Sequence, residues 1–333
     1  MNPTTTLCCL STLLAVMAVP GHAADNNKTW TDPEAARQED PDYLVQGEYG
    51  LNQAGAAWGV QVVALGDGKF DAYLLEGGLP GLGWTRGKTR TPLTGGRTDG
   101  GVALSSADGR ISATIRDGRI RLGREGEKEV TLPRIERSSP TSGAKPPKDA
   151  VVLFDGSSAE QWQNGTVEQG MLAAANCTSK QGFGDYFLHI EFRTPYKPHA
   201  RGQDRGNSGV YYAGRWETQV LDSFGLNGEQ NECGGVYSIA QPRLNMCFPP
   251  LTWQTYDVDF TAAKFAADGT RTAWPRITVK LNGVLIHEDL ELGKDNTTAS
   301  PLGGPLKNEP GPIFLQNHGN PVHFRNIWLL PGK

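Results

Sequence analysis

Glu217 and Gln219 stand two residues apart in the run Arg215-Trp216-Glu217-Thr218-Gln219-Val220-Leu221. Side chains alternate faces along a strand, so Glu217, Gln219 and Leu221 share one side and Trp216, Thr218 and Val220 the other. The second set suits a core. The first sets a carboxylate beside an amide, about 7 Å away by strand rise, a pairing fit for proton transfer and for orienting a polar substrate. A solvated outer face gives the same pattern, and both readings stay open here. A second group of chemical side chains lies near the C-terminus. Gln316 and His318 share a face, as do His323, Arg325 and Ile327, and Gly319-Asn320-Pro321 reads as a turn between them. A hairpin there brings Gln316 and His318 close to Arg325.

These residues need strands to hold them. Gly206-Asn207-Ser208-Gly209 punctuates the chain before Val210-Tyr211-Tyr212, a strand that a short Ala213-Gly214 turn joins to the Glu217 run. With 42 Gly and 22 Pro in 333 residues, and few long amphipathic periods, the composition favours an all-β protein. A formal net charge of −4 gives no electrostatic footprint for nucleic acid.

Residues 1–23 read as a signal peptide. An apolar run at 7–19 is too short to span a bilayer, and small residues near Ala23 follow it, although no Lys or Arg precedes it. The expectation is a periplasmic or secreted protein with no membrane span. Residues 24–42 read as an exposed lead-in, and 43–137 as a β-rich accessory domain with hairpins at Gly66-Asp67-Gly68 and Asp117-Gly118. The glycine-rich stretch at 77–84 lacks a phosphate-loop ending. Residues 138–149, rich in Pro, Ser and Gly, read as a linker.

From 150 to 333 short strand-like runs recur between turns, with Asn282-Gly283 a strong hairpin signal, so a two-sheet sandwich or jelly roll is expected. Removal of the signal leaves Cys177, Cys233 and Cys247. The spacing of the last two suits a disulfide, with Cys177 free. No Cys-x-x-Cys or His-rich spacing points to zinc, and no metal or other cofactor is expected. Glu229, Asn231 and Glu232 offer oxygen atoms for Ca²⁺ but lack a calcium-loop pattern. Asp222 reads as a cap for the following turn, and His287 as a surface residue.

Five motifs carry a family resemblance: Leu153-Phe154-Asp155-Gly156; the run from Gly206 to Ser223; Trp253 to Phe260; Asn282 to Glu288; and Gly311 to Leu329. In this order they resemble the 3-keto-disaccharide hydrolase family, with Trp216 where the family usually has Tyr. The two-part layout is similar to exported proteins of planctomycete-type bacteria. The resemblance implies a concanavalin-like jelly roll acting on sugars, and the convergence of the site residues comes from it, not from spacing.

An ordinary glycosidase flanks its bond with two carboxylates, whereas here one strand carboxylate stands out. A 3-keto-glycoside, with an acidified C2 hydrogen, needs only a base, an acid and an enolate-stabilising group. Glu217 and His318 suit base and acid in an order left open. Arg325 or Arg215 suits the enolate or ring hydroxyls, and Asn207, Gln219 and Gln316 suit orientation. Trp253 suits stacking on a sugar face or a place in the core. The alternative function is a non-catalytic carbohydrate-binding module, since the same sandwich serves lectins. Such a module needs no ionisable pair, which favours the enzyme.

Overall fold

The computed structural model describes residues 28–332. The expected signal peptide lies outside the described residues. Among the described residues no helix is long and apolar enough to cross a membrane.

Turn chemistry sets the hairpins. Asp67 and Gly68 (φ 54° and 70°), Asp117 and Gly118 (50° and 68°), and Asn282 and Gly283 (52° and 78°) all take positive φ. These mirror-image turns match the right-handed twist of the strands they join. The first two connect Trp58–Gly66 to Lys69–Glu76 and Ile111–Arg116 to Arg119–Arg124. These strands belong to an eight-stranded antiparallel barrel, closed where Gly47–Tyr49 pairs with both Trp58–Gly66 and Val130–Ile135. Val60, Val62, Phe70, Leu74, Leu104 and Ile115 help to fill it.

The stretch read as an exposed lead-in is different in the structure. It holds two short helices, Pro33–Glu39 and Pro41–Val45, capped by the carboxylates of Asp32 and Asp40. Ala36 and Asp42 are buried, and Asp42 pairs with Arg97 of the barrel. Proline at the start of each helix and a capping Asp before it explain why a polar, poorly periodic stretch folds.

The C-terminal region is a sandwich of two antiparallel sheets. The smaller has the order Trp162–Gln163, Cys177–Phe183, Gly311–Leu315, Ser208–Tyr212, Trp216–Val220. The larger has His323–Pro331, Tyr186–Arg193, Gln254–Thr261, Arg276–Leu281 and Val284–Glu291 as its main run. Val210, Tyr212, Trp216 and Val220 of the smaller sheet meet Ile190, Phe192, Tyr256, Val258 and Phe324 of the larger in one core. Since side chains alternate, Glu217, Gln219 and Tyr211 occupy the outer face of the smaller sheet, while Glu191, His189 and Arg325 occupy the outer face of the larger.

One expectation fails at this point. The strands Gly311–Leu315 and His323–Pro331 do not form a hairpin; they belong to different sheets, and residues 316–322 cross between them.

The expected Cys233–Cys247 disulfide is absent: Cys177, Cys233 and Cys247 are buried free thiols. The two thiols of the expected pair lie against each other as reduced groups, and each also meets other atoms. Cys247 Sγ lies 3.5 Å from the Leu221 carbonyl oxygen and 3.4 Å from that of Phe248, and Cys233 Sγ lies 3.4 Å from Tyr256 Oη.

The segment read as a linker is pinned along the outer face of the larger sheet. Ser139 Oγ lies 2.6 Å from Thr255 Oγ1, and Thr141 Oγ1 donates to Asp257 Oδ2 at 2.6 Å. Gly143 N donates to Glu191 Oε1 at 2.5 Å, and Asn326 and Trp328 both donate to the Ala144 carbonyl.

Barrel and sandwich are joined by arginines. Arg205 donates to Asp222 at 2.7 Å and reaches the Ala64 carbonyl of the barrel at 3.3 Å. Arg90 of the barrel donates to the Gly225 carbonyl, and Arg86 to those of Gly228 and Pro242. Leu75, Leu79 and Trp84 from the barrel side join the sandwich core. The glycine-rich stretch thus serves as packing between the two parts.

Candidate active site

The strand pair Ser208–Tyr212 and Trp216–Val220 builds the site. Its register sets Tyr211 opposite Glu217 and Gly209 opposite Gln219. Glu217 is only 3% exposed. Burial raises its carboxyl to about 7, against a smaller lowering by the Tyr211 hydroxyl. Tyr211 Oη donates to Glu217 Oε2 at 2.9 Å and accepts from Gln316 Nε2 at 3.2 Å. Burial and the neighbouring carboxylate push the Tyr211 phenol well above its ordinary range, so it stays protonated as a donor. Glu217 Oε1 accepts no hydrogen bond among the described residues. It faces Gly209: a Cβ there would lie 2.3 Å from it. Glycine there makes room for the Glu217 carboxylate itself, which lies over it, and any side chain would displace it.

Amides flank this spot. Gln316 N donates to the Gly209 carbonyl at 3.0 Å. Asn207 Nδ2 and Gln219 Nε2 both donate to Gln203 Oε1, at 2.8 and 2.9 Å. Thr297 Oγ1 accepts from Glu217 N at 3.1 Å, which holds the segment around residue 297 against the strand.

Glu217, Gln219, Gln316 and Asn207 thus come together. The remaining expected residues are placed otherwise. Arg325 is on the outer face of the larger sheet, across both sheets from Glu217, where it donates to Glu191 Oε2 at 2.7 Å. Trp253 goes with it, stacked beneath the guanidinium groups of Arg325 (4.1 Å) and Arg193 (4.9 Å). The reason is the crossover at 316–322, which sends the two halves of the last motif to opposite sheets. Arg215 donates to the carbonyls of Asp295, Gly303, Gly304 and Pro305, and so braces the segment over Glu217. His318 is exposed in the crossover, and its imidazole forms no hydrogen bond or ion pair among the described residues.

Asp222 caps Phe224 N at 3.3 Å and also pairs with Arg205. His287, expected at the surface, is buried against the Gly234 carbonyl at 2.7 Å, and burial lowers its pKa. Glu232 is spent on the backbone N–H groups of Gly228 and Glu229, and the Asn231 carbonyl accepts from Gln203 and Gln219. A cavity of about 430 Å³ opens at the sheet ends near Phe183, Phe260 and Leu302, and Glu217, Gln219 and Gln316 do not line it.

Tyr211 and Gln203 were missed by the reading of the sequence. Tyr211 stands opposite Glu217 because the turn holds three residues, 213–215; the two-residue turn that Ala213-Gly214 suggests would have set it opposite Trp216. Nothing in the sequence marks Gln203, which sits in a short 3₁₀ turn, Gly202–Asp204.

The fold and site define a β-sandwich with a buried, near-neutral carboxyl on the outer face of one sheet. The chain belongs to the family described as 3-keto-alpha-glucoside-1,2-lyase-like, whose model matches residues 149–330. A crystal structure from Parabacteroides distasonis, of a protein provisionally named a glycosyl hydrolase, is 33% identical. It covers 56% of this chain and 84% of its own, with a TM-score of 0.50. A second structure from the same organism, similarly named, is 16% identical over 56% of this chain and 95% of its own, with a TM-score of 0.40. No curated protein matches the chain. The family and the 33%-identical structure place the chain among glycoside-acting enzymes.

Proposed function

We propose that the protein cleaves 3-keto-glycosides by elimination and hydration, with Glu217 as the base. Glu217 Oε1 takes the proton from C2, which the neighbouring ketone acidifies. The C2–H electrons form the C1=C2 double bond as the C1–O bond breaks, and the departing alcohol leaves with a proton. Water then adds across C1=C2: hydroxyl to C1, proton back to C2. The 1,2-lyase wording of the family description agrees with an elimination across C1 and C2 that leaves a double bond between them.

The observation that carries this reading is the state of Glu217. A carboxyl near 7 exchanges protons with little driving force lost at neutral pH, and its free oxygen rests in the space that Gly209 leaves for it. The second hydrogen of Gln316 Nε2 supplies a donor on the same side, where charge develops on the ketone oxygen, while the single Tyr211 hydrogen stays on Glu217 Oε2. The acid for the leaving alcohol is a separate question. His318, in the exposed crossover after Gln316, is the proposed donor.

Glu217→Gln keeps shape and hydrogen bonding but removes the base. Turnover of a 3-keto-disaccharide should fall about 10²–10⁴-fold while the fold persists. The unoxidised parent disaccharide should resist the wild type, because its C2 hydrogen is not acidic. Equal cleavage of parent and keto substrate would sink the mechanism, and unchanged turnover in the variant would sink Glu217. For His318→Ala, the loss should be large with a sugar leaving group and small with a nitrophenolate, which needs no proton. We also propose export, on the apolar run at 7–19. Recovery of an intact Met1 from a cytoplasmic fraction would defeat it.

A further inference from the structure

Five buried side-chain atoms lack a hydrogen-bond partner among the described residues: Gln46 Nε2, Tyr186 Oη, Thr194 Oγ1, Asn207 Oδ1 and Gln219 Oε1. The last two belong to one cluster, because both amides donate to the same atom, Gln203 Oε1. That shared acceptor fixes their orientation. Turning either amide over would set oxygen against oxygen at under 3 Å. Gln203 is itself fixed, because its Nε2 donates to the Asn231 carbonyl at 2.8 Å, which also accepts from Gln219 Nε2 at 3.3 Å. Asn207 and Gln219, 2% and 1% exposed, therefore hold two carbonyl oxygens in fixed positions with only lone pairs to offer. Buried acceptors are ordinarily paired, and a pair of neighbouring exceptions calls for a donor from outside the chain. Gln219 is the cross-strand partner of Gly209, over which the Glu217 carboxylate lies, so the pair sits beside that carboxylate.

We propose that Asn207 Oδ1 and Gln219 Oε1 form an acceptor-only subsite for two hydroxyl groups of the sugar ring. The subsite fixes which way round the ring lies against Glu217. Hydroxyls, which donate, face Asn207 and Gln219. The ketone oxygen, which only accepts, is repelled from there and faces Gln316, whose Nε2 keeps one hydrogen beyond the one given to Tyr211. This rests on Glu217 as the site of chemistry but makes a separate claim about recognition.

The test uses the full chain and methyl α-glucoside, which binds without reacting under the proposed mechanism, together with its 2-, 3-, 4- and 6-deoxy analogues, followed by calorimetry. Two of the four deoxy sugars should bind about 10–100-fold more weakly than the parent, the cost of leaving a buried acceptor unmet. In Asn207→Ala one of those two penalties should vanish. The wild-type comparison stands even if the variant folds poorly. Equal binding of all four analogues, or no saturable binding of the parent, would overturn the proposal. So would calcium chloride alone raising the melting temperature of the wild type but not of Asn207→Ala, since two amide oxygens also suit a hard cation. Failure of the Glu217→Gln turnover test would leave the deoxy-sugar pattern intact, so the two claims fail separately.

Discussion

Two buried glutamates sit on strands of the same sandwich, on opposite outer faces, and their surroundings drive them in opposite directions. Glu191 is fully buried, and burial alone would raise its carboxyl. Hydrogen bonds from His189, Asn326, the Gly143 N–H and Arg325 more than offset this and hold it at about 2. His189 is the matching cation: burial works against its charge, but Asp257 and Glu191 outweigh that and raise its pKa. Glu217 has one hydroxyl donor and no cation, and it rises to about 7. The difference lies in the count of donors, because burial is common to both. A carboxylate with every lone pair engaged is a strut; one left with a free oxygen in a dry place can take a proton.

The sharpest way to break this comparison is to neutralise each glutamate. Glu217→Gln should cost about 10²–10⁴-fold in turnover with the fold retained. Glu191→Gln should leave turnover per folded molecule intact and cost about 3–5 kcal/mol of stability, because Arg325 and His189 lose a buried counter-charge. Urea unfolding and single-substrate kinetics on both variants decide it. A turnover loss in Glu191→Gln that matches that of Glu217→Gln would erase the distinction.

Next in size is the dependence on pH. Glu217 has a folded-state pKa above its ordinary 4.5, so the native state binds the extra proton. Stability should then fall as pH rises from about 4.5 to about 7, by about 3 kcal/mol, and stay flat above. Glu191 runs the other way: its contribution is present above about 4.5 and lost as pH falls toward about 2. Comparing wild type and Glu217→Gln at pH 5 and pH 8 isolates the first effect, since the variant should lack that decline. Turnover should meanwhile rise with pH through about 7, as the base ionises.

The smallest effect is expected at Trp253. Trp253→Ala removes the ring between Arg193 and Arg325 and should cost about 1–2 kcal/mol of stability. The KM for a keto-disaccharide should not change, because the ring lies on the face away from Glu217. A raised KM would return Trp253 to the sugar site.

Much of this was legible in the sequence for a local reason. Asp-Gly and Asn-Gly pairs fix a turn by themselves, and alternation then assigns faces, so the hairpins and the shared face of Glu217 and Gln219 follow from short stretches. What was not legible depends on long-range placement. Arg325 shares a motif with Gln316, and only the sheet assignment of the two flanking strands separates them. Gln203 lies in a brief turn with no periodicity. Loop length brings Cys233 and Cys247 together, and the structure has them adjacent but unbridged. The polar stretch at 28–42 was misjudged because capping, and not hydrophobic period, makes its helices.

The pinned segment at 139–144 bears on how the molecule can be divided. The family match begins at residue 149, yet the hydrogen bonds that complete the Glu191 face come from Thr141, Gly143 and Ala144, ahead of it. A chain trimmed to the recognised boundary would open the outer wall of the larger sheet to water and strip the backbone donor from Glu191. Any fragment that keeps the Glu191 face complete therefore starts no later than Ser139, ten residues before the family match begins.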